Sequence, residues 1–402
     1  MKNQKWILTI IVLSQFCCIS LWFAGNAVMN DLIVVYQLKE SALGHLTSVV
    51  QFGFISGTLL FAILTISDRF SPSKVFFISA LLGAFFNFLI IFEGNSYLSL
   101  IILRFLTGFF LAGIYPVGMK IAADYYQKGL GISLGFLVGA LVVGTGFPHI
   151  LKGFTTELTW QSVIIITSVL ALLGGVILLV FVKNGPYRKP RQQFDLSVFI
   201  RVFKNPEFRS AAFGYFGHMW ELYAFWAFIP LILITYQNMH PTASLNVPLL
   251  SFIIISSGGI ACVMGGFISL KLGIKSTAFS ALFLSCICCL ISPIMFFTEN
   301  TILFIAYLIM WGMVVIADSP LFSTLVANNV DHESKGTALT IVNCIGFSIT
   351  IMSIQLLNIM SDFINPEMMY VLLAVGPILG LIALRNRKPN SAAMSYGYDV
   401  HQ

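Results

Sequence analysis

Five ionisable side chains stand within, or at the end of, long apolar stretches, where a charge is costly. Glu221 has His218 three residues before it, so a helix would place both on one face. Arg104 and Asp318 lie inside two other apolar stretches, and Asp31 ends the first one. Because a central Arg or Asp costs about 2.5 to 3.5 kcal/mol to insert into a membrane, charges that are kept there indicate a function.

The chemistry that suits Glu221 is proton exchange. A carboxylate in a medium of low dielectric constant can take up and release protons near neutral pH, and His218 could relay or share that proton. The alternative is a static hydrogen-bonded lock between two helices. Asp31 and Asp318 are further candidates for proton coupling, and Asp318, close to Pro320, is equally suited to a gating contact.

Arg104 could bind an anionic group or control the protonation of a nearby carboxylate. The alternative is a structural tether that binds backbone carbonyl groups or Asn26. Other polar and aromatic side chains in the apolar stretches are candidates to line a pocket, although each alone is more often packing. They are Trp22, Asn26, Gln51, Tyr115, His149, Tyr223, Trp226 and Asn343.

The elements that hold these residues must be membrane-spanning helices. The 402 residues are 58% hydrophobic and only 9% charged, whereas soluble domains carry roughly 25% charged residues. Only helices satisfy the backbone of such long apolar runs in lipid, so an all-α membrane protein is expected. A window of about 20 residues predicts twelve spans: 6–30, 43–66, 75–92, 98–118, 131–151, 161–182, 210–235, 248–270, 276–297, 302–322, 338–358 and 367–384.

A basic, proline-containing run, residues 183–209, divides the spans into six and six. We therefore expect a first bundle over 1–182, a cytoplasmic linker over 183–209, a second bundle over 210–384 and a cytoplasmic tail over 385–402. Of the 22 Lys and Arg residues, nineteen fall on the linker's side of the membrane, whereas only Lys39 and Lys152 fall on the other. This asymmetry predicts cytoplasmic termini and, for a bacterium, the inner membrane. The basic residues are spread over every inner loop, so no nucleic-acid partner is expected.

Two loops repeat between the halves. Residues 64–74 read LTISDRFSPSK after span two, and residues 266–275 read GFISLKLGIK after span eight. Together they resemble a loop motif of the major facilitator superfamily (MFS), in which Gly, three residues, Asp, a basic residue, one residue and Gly precede further basic residues. In span four, LRFLTGFFLAG is similar to the family's Arg, three residues, Gly pattern at Arg104 and Gly108.

This resemblance extends over almost the whole chain. It implies the MFS fold, with two pseudo-symmetric six-helix bundles whose spans one, four, seven and ten line a central cavity. It also implies that the loop carboxylate lies near the start of span eleven, where a helix N-terminus favours negative charge. The residues of this conformational latch are Asp68, Arg69, Gly266, Gly273 and Lys275.

The family resemblance implies a secondary transporter that works by alternating access. We expect proton-coupled uptake of a small polar or anionic solute by a monomer in the lipid bilayer. Export of drugs or amphiphilic metabolites is the alternative, although span five lacks the adjacent Gly-Pro pair usual in the family's drug antiporters. A channel or a non-transporting membrane sensor is the alternative from a different class.

Neither an enzymatic activity nor a cofactor or metal site is predicted. The segment GHMWELYAFW contains one histidine, whereas a zinc-binding helix needs two histidines four residues apart. All seven cysteines lie in apolar runs without ligand histidines at metal spacing, and no glycine-rich phosphate loop is present.

Overall fold

The computed structural model describes residues 2–126, 130–154, 158–188, 197–331 and 334–385, and these residues form helices and connecting loops without a β-strand. We number the spanning segments α1 to α12. Those of the first half are α1 (Lys2–Ile19), α2 (Ala42–Ile63), α3 (Pro72–Ile91), α4 (Tyr97–Tyr125), α5 (Leu130–Phe154) and α6 (Trp160–Phe181).

The second half repeats this arrangement after a short helix, Ser197–Val202. Its segments are α7 (Pro206–Met239), α8 (Val247–Leu272), α9 (Ile274–Phe296), α10 (Thr301–Asn328), α11 (Lys335–Met360) and α12 (Met369–Arg385). In the described ranges, ten helices are long and apolar enough to cross a membrane, and the apolar parts of α1 and α12 are shorter. The expected all-α architecture of twelve segments in two six-helix bundles is confirmed.

Three segments are interrupted, and two of the breaks are related by the repeat. Helix α4 breaks between Leu111 and Tyr115, and α10 breaks at Asp318. Each break is followed by a proline at the start of the next helical piece, Pro116 or Pro320. Proline lacks an N–H, so it is disfavoured in a helix interior but tolerated in the first turn, where that N–H would have no helical acceptor. The first segment stops at Ile19 and continues after a gap as two short helices, Ala24–Ala27 and Met29–Val35.

Glycines bring corresponding helix pairs into backbone contact in both halves. A Cβ added to Gly108 of α4 would collide with the backbone of Val50 on α2. A Cβ added to Gly312 of α10 would likewise collide with the backbone of Ile254 on α8. Small residues at membrane helix crossings permit this close approach. Both contacts are offset by the same 204 positions, which is direct structural evidence of the repeat.

The two bundles meet through α2 with α11 and through α5 with α8. We call the end of the molecule where residues 182–188 lie the linker side, and the other end the opposite side. On the opposite side, the Gln355 amide donates to the Gly44 carbonyl at 2.9 Å and to Ser48 Oγ at 2.7 Å. The Asn358 amide donates to the Ser41 carbonyl at 3.3 Å. These contacts hold α2 and α11 together on that side.

The start of the connection between the bundles is fixed to the first bundle. Ser73 donates to the Val182 carbonyl at 2.6 Å, and Tyr125 donates to the Lys183 carbonyl at 2.8 Å. At its other end, α7 begins at Pro206, with Asn205 as its N-cap, so the last residues of the expected linker are already helical. Residues 189–196 of the linker and 386–402 of the expected tail lie outside the described residues.

Candidate functional site

An aromatic cluster fills the centre of the interface between the bundles. The ring of Trp22, in the gap after α1, lies 4.8 Å from Phe54 of α2 and 5.7 Å from Phe347 of α11, between ring centroids. It stacks on Tyr223 of α7 at 5.6 Å, and Tyr223 contacts Trp226 at 5.2 Å. Both bundles contribute rings, so any relative movement of the bundles must rearrange this cluster.

Polar atoms in and beside the cluster lack partners. The indole N–H groups of Trp22 and Trp226 and both amide atoms of Gln51 are buried, and they form no hydrogen bond within the described residues. Buried polar groups in proteins are almost always hydrogen-bonded to protein, water or ligand. Gln51 precedes Phe54 by one turn of α2, so its amide lies on the same side of that helix as the ring. The cluster therefore offers hydrogen-bonding groups as well as aromatic faces.

Arg104 lies inside the first bundle. Its guanidinium donates to the Trp22 carbonyl at 2.6 Å and to the Leu21 carbonyl at 3.3 Å. A further N–H donates to Asn87 Oδ1 at 3.3 Å. These carbonyls are available because the first helix stops at Ile19. These contacts tether Arg104 mainly to the backbone. Among the described residues, no carboxylate forms an ion pair with it. Asn26 instead donates to Thr47 at 2.8 Å.

A cavity of about 440 Å³ opens on the linker side. Its walls come from both bundles: α2 and α4, the loop after α2, and the first turns of α11. Tyr187 of the connection and Gly336 of α11 line it at the exposed end. Thr58, one turn beyond Phe54 on α2, lines it on the side toward the aromatic cluster. The cavity thus leads from the linker side toward the centre of the molecule.

Glu221 is buried within the second bundle, away from the interface between the bundles. Its carboxylate accepts a hydrogen bond from Ser285 of α9 and one from the Trp311 indole of α10 at 2.6 Å. The side chain is 1% exposed. A carboxyl group held by three helices of one bundle is placed to influence how those helices pack when its protonation changes.

His218 pairs with Asp318 and not with Glu221. His218 Nδ1 and Asp318 Oδ1 lie 2.8 Å apart, both buried, although the two groups are not aligned as a hydrogen bond. Asp318 occupies the break in α10, so the pair connects α7 to that break. The fourth candidate for proton coupling, Asp31, is partly exposed on the opposite side, where it forms an ion pair with Lys152 at 2.9 Å.

Three other expected pocket residues surround the interface at different depths. Asn343 of α11 accepts a hydrogen bond from Tyr215 at 3.0 Å. His149 of α5 is buried, and its Nε2 has no partner among the described residues. Tyr115 begins the second piece of α4 and is half-buried. Among the described residues, neither Tyr115 nor His149 forms a ring contact with the cluster, and Asn343 lies one turn before Phe347 on α11.

The expected latch residues occupy the loops of the linker side. Asp68 forms an ion pair with Lys120 of α4 and shares the cavity lining with Gly336 and Thr337, at the start of α11. Arg69 is exposed. In the second half, Gly273 adopts a φ of 86° at the turn between α8 and α9.

The two remaining residues of the second loop lie near that turn. Gly266 has open space around it, since an added Cβ would meet nothing within 4 Å. Lys275 Nζ lies 3.5 Å from Glu207 Oε2.

Several residues of the site escaped the sequence analysis. Phe54 and Phe347 complete the cluster, Asn87 holds Arg104, and Asp124 and Arg188 surround the loop after α2. One signal was present for part of the site. Gln51, Thr58 and Thr65 recur at seven-residue spacing, which places polar groups along one face of an otherwise apolar helix.

Comparison with known proteins agrees with this architecture. The sequence profile of the Major Facilitator Superfamily matches residues 11–354. The chain therefore belongs to the Major Facilitator Superfamily. Among curated proteins, none matches this chain in sequence.

Solved structures with a similar fold are themselves transporters. A bacterial homolog of the human lysosomal transporter Spinster, in its inward-facing and unoccupied conformation, has a TM-score of 0.67 at 14% identity, over 95% of each chain. The occupied form of that protein has a TM-score of 0.68 at 14% identity, over 96% of each chain. The nucleoside transporter NupG has a TM-score of 0.71 at 14% identity, over 95% of this chain and 98% of its own.

Proposed function

We propose that this protein is a secondary transporter that moves a small polar solute through the centre of the interface between its two bundles. The observation that carries the proposal is the ring cluster around Trp22. Rings from both bundles meet there, and the neighbouring indole and amide groups have no partner in the described chain. Alternating access requires a binding site that both bundles form near mid-membrane, and the meeting of rings from both bundles supports this role for the cluster.

Among the two solute classes expected from the sequence, the contacts of Arg104 favour a polar one over an anionic one. Its guanidinium is directed at the carbonyls of Leu21 and Trp22 and at Asn87. Three of its five N–H groups donate to protein acceptors and the side chain is buried, so these contacts suit a tether better than an anchor for a carboxylate or phosphate. The proposed role of Arg104 is to hold the backbone that positions the Trp22 ring.

We assign the linker side to the cytoplasm, and the bacterial inner membrane as the location, from the distribution of Lys and Arg. With this orientation, the cavity lined by Tyr187 and Gly336 faces the cytoplasm, and the contacts of Gln355 close the periplasmic side. Uptake driven by protons is the direction we favour. Glu221 and the pair of His218 with Asp318 are the proposed proton-exchanging groups.

Counterflow in proteoliposomes tests the site. Vesicles preloaded with one unlabelled solute are given the same solute in labelled form, across a panel of neutral sugars, nucleosides, organic acids, amino acids and cationic drugs. We expect one class to accumulate, and Trp22→Ala to reduce its apparent affinity by about tenfold, equivalent to about 1.4 kcal/mol. Trp6→Ala, which removes an exposed indole, is the matched control. A channel or sensor would show no counterflow with any solute.

A pH gradient in the same vesicles tests the coupling. Glutamine keeps the size of Glu221 and can still accept the hydrogen bonds of Ser285 and Trp311, but it cannot release a proton. We therefore expect Glu221→Gln to abolish accumulation driven by the pH gradient and to retain counterflow. Unchanged accumulation in Glu221→Gln, with loss in Asp318→Asn, would move the coupling site to the pair of Asp318 and His218.

A further inference from the structure

The linker-side cavity is lined by buried polar groups that have no hydrogen-bond partner among the described residues. Thr58 Oγ, Thr65 Oγ and Asp124 Oδ2 are buried and have no hydrogen-bond partner within the described chain. All three residues line the cavity, and their side chains are at least nine-tenths buried. Three unpartnered polar atoms in one cavity indicate a site for a ligand with several hydrogen-bonding groups.

The backbone at Thr65 supports this interpretation. Thr65 has a φ of 50°, one of two positive φ values found at described residues other than glycine. A β-branched residue rarely adopts this conformation, and such strain concentrates at functional sites. Here the strained backbone ends the last turn of α2 and directs the Thr65 side chain into the cavity lining.

The same face of α2 connects the cavity to the ring cluster. Gln51 and Thr58 are separated by seven residues, or two helical turns, which corresponds to about 10 Å along the axis. Both have unpartnered polar atoms, and Phe54 of the cluster lies between them. Unpartnered polar groups therefore extend from the cavity to the ring cluster along one face of α2. The spacing of about 10 Å between Gln51 and Thr58 is short enough for a small solute to pass from one to the other.

The charges around the cavity identify the kind of solute. Asp68 is paired with Lys120, and Arg188 donates to the carbonyls of Asp68 and Phe70 at 2.8 Å beside Asp124. Both cavity carboxylates lie close to basic groups, Asp68 to Lys120 and Asp124 to Lys120 and Arg188, so neither is left free to attract a cation. Threonine hydroxyls donate and accept, and a carboxylate accepts. A solute with several hydroxyl groups satisfies all three, and aromatic faces such as those around Trp22 suit its C–H surfaces.

We propose that the transported solute is an uncharged polyhydroxylated molecule, and that it binds a second site formed by Thr58, Thr65 and Asp124 on its way between the linker side and the ring cluster. This inference rests on the proposed transport function and specifies its substrate class. It gives the cavity a binding role separate from that of the ring cluster.

Labelling of a cysteine in the cavity tests the second site. Gly336→Cys places a thiol where an added Cβ meets nothing within 4 Å, at an exposed cavity position. The seven native cysteines are buried, and protein without the added cysteine measures their background reaction with N-ethylmaleimide. The probes are glucose, gluconate and glucosamine, which share a skeleton and differ in charge. We expect glucose at about four times its Kd to slow labelling about fivefold, and the charged probes to slow it much less.

Variants of the full-length protein separate the two sites. Thr58→Val should remove the protection by glucose, whereas Thr107→Val should keep it, because the Thr107 hydroxyl already donates to the Leu103 carbonyl. Trp22→Ala, which weakens counterflow, should leave the protection in place. The inference is overturned if glucose fails to protect, if gluconate or glucosamine protects equally, if Thr58→Val stays protected, or if Trp22→Ala loses protection. Counterflow of another solute that depends on Trp22 would still support the proposed transport function.

Discussion

Arg104 shows how a buried charge can be held by neutral groups. Helix α1 stops at Ile19, so the carbonyls of Leu21 and Trp22 have no helical donors, and the guanidinium supplies them. Asn87 of α3 accepts a third hydrogen bond and in turn donates to Ser168 of α6 at 2.9 Å. One side chain thereby connects the interrupted first helix to three others and fixes the backbone of Trp22.

We expect Arg104→Lys to destabilise the fold. A lysine ammonium cannot span two carbonyls and an amide oxygen as a planar guanidinium does, and each unsatisfied buried group costs about 1 to 3 kcal/mol. Thermal unfolding in detergent should show a lower Tm for Arg104→Lys, whereas Lys271→Ala, on the exposed end of α8, should be unchanged. A normal Tm with lost transport would instead indicate that Arg104 binds the solute.

The aromatic cluster was only partly predictable at the residue scale. Trp22, Tyr223 and Trp226 were recognisable because amphipathic rings are uncommon in the interior of apolar spans. Phe54 and Phe347 were not, because the chain has 37 phenylalanines, and most of them can face lipid. Hydrophobicity does not distinguish a ring that faces the other bundle from one that faces the bilayer. The geometry of the helix packing makes that distinction.

At the scale of elements, the crossing of α2 and α4 depends on glycine. A Cβ at Gly108 would collide with the backbone of Val50, and one at Gly53 would lie 2.9 Å from the Phe109 nitrogen. The backbones cannot move apart without disturbing the neighbouring Arg104, which lies one turn from Gly108 on α4. Close helix contact at this crossing therefore supports the site.

Gly108→Ala should accordingly destabilise the protein by about 1 to 3 kcal/mol, the usual cost of overpacking. Gly139→Ala of α5 is the matched control, since an added Cβ there meets nothing within 4 Å, and alanine favours the helix by roughly 0.5 to 1 kcal/mol. Thermal unfolding of both variants provides the comparison. Equal Tm values for Gly108→Ala and wild type would show that the crossing can relax.

Hydropathy predicted that each span exists more accurately than it predicted where each helix begins and ends. Helix α4 continues to Tyr125 and α10 to Asn328, although the spans were expected to end at 118 and 322. Helix α7 begins at Pro206 instead of 210. A hydropathy window measures the apolar thickness of the bilayer, whereas a helix can extend beyond it as far as backbone hydrogen bonds and caps allow. The Asn205 cap, for example, sets the start of α7 at Pro206.

For the whole molecule, the contacts between the bundles are unequal at the two sides. Gln355 and Asn358 of α11 bind α2 on the opposite side, whereas the linker side contains the cavity between α2, α4 and α11. The internal repeat and the six-plus-six arrangement were predictable from the loops and the charge distribution. Which side is closed was not, because under the proposed alternating access the same sequence would support both states.

A reversible cross-link on the opposite side tests alternating access most directly. Ser48 and Gln355 lie in hydrogen-bond contact at 2.7 Å across the bundles, so a pair of cysteines at these positions can be bridged by a short bifunctional thiosulfonate. Each single cysteine variant is the control. We predict that the bridged protein loses nearly all counterflow and that a reducing agent restores it, because α2 and α11 must separate on that side during transport. Undiminished counterflow in the bridged protein would contradict the account.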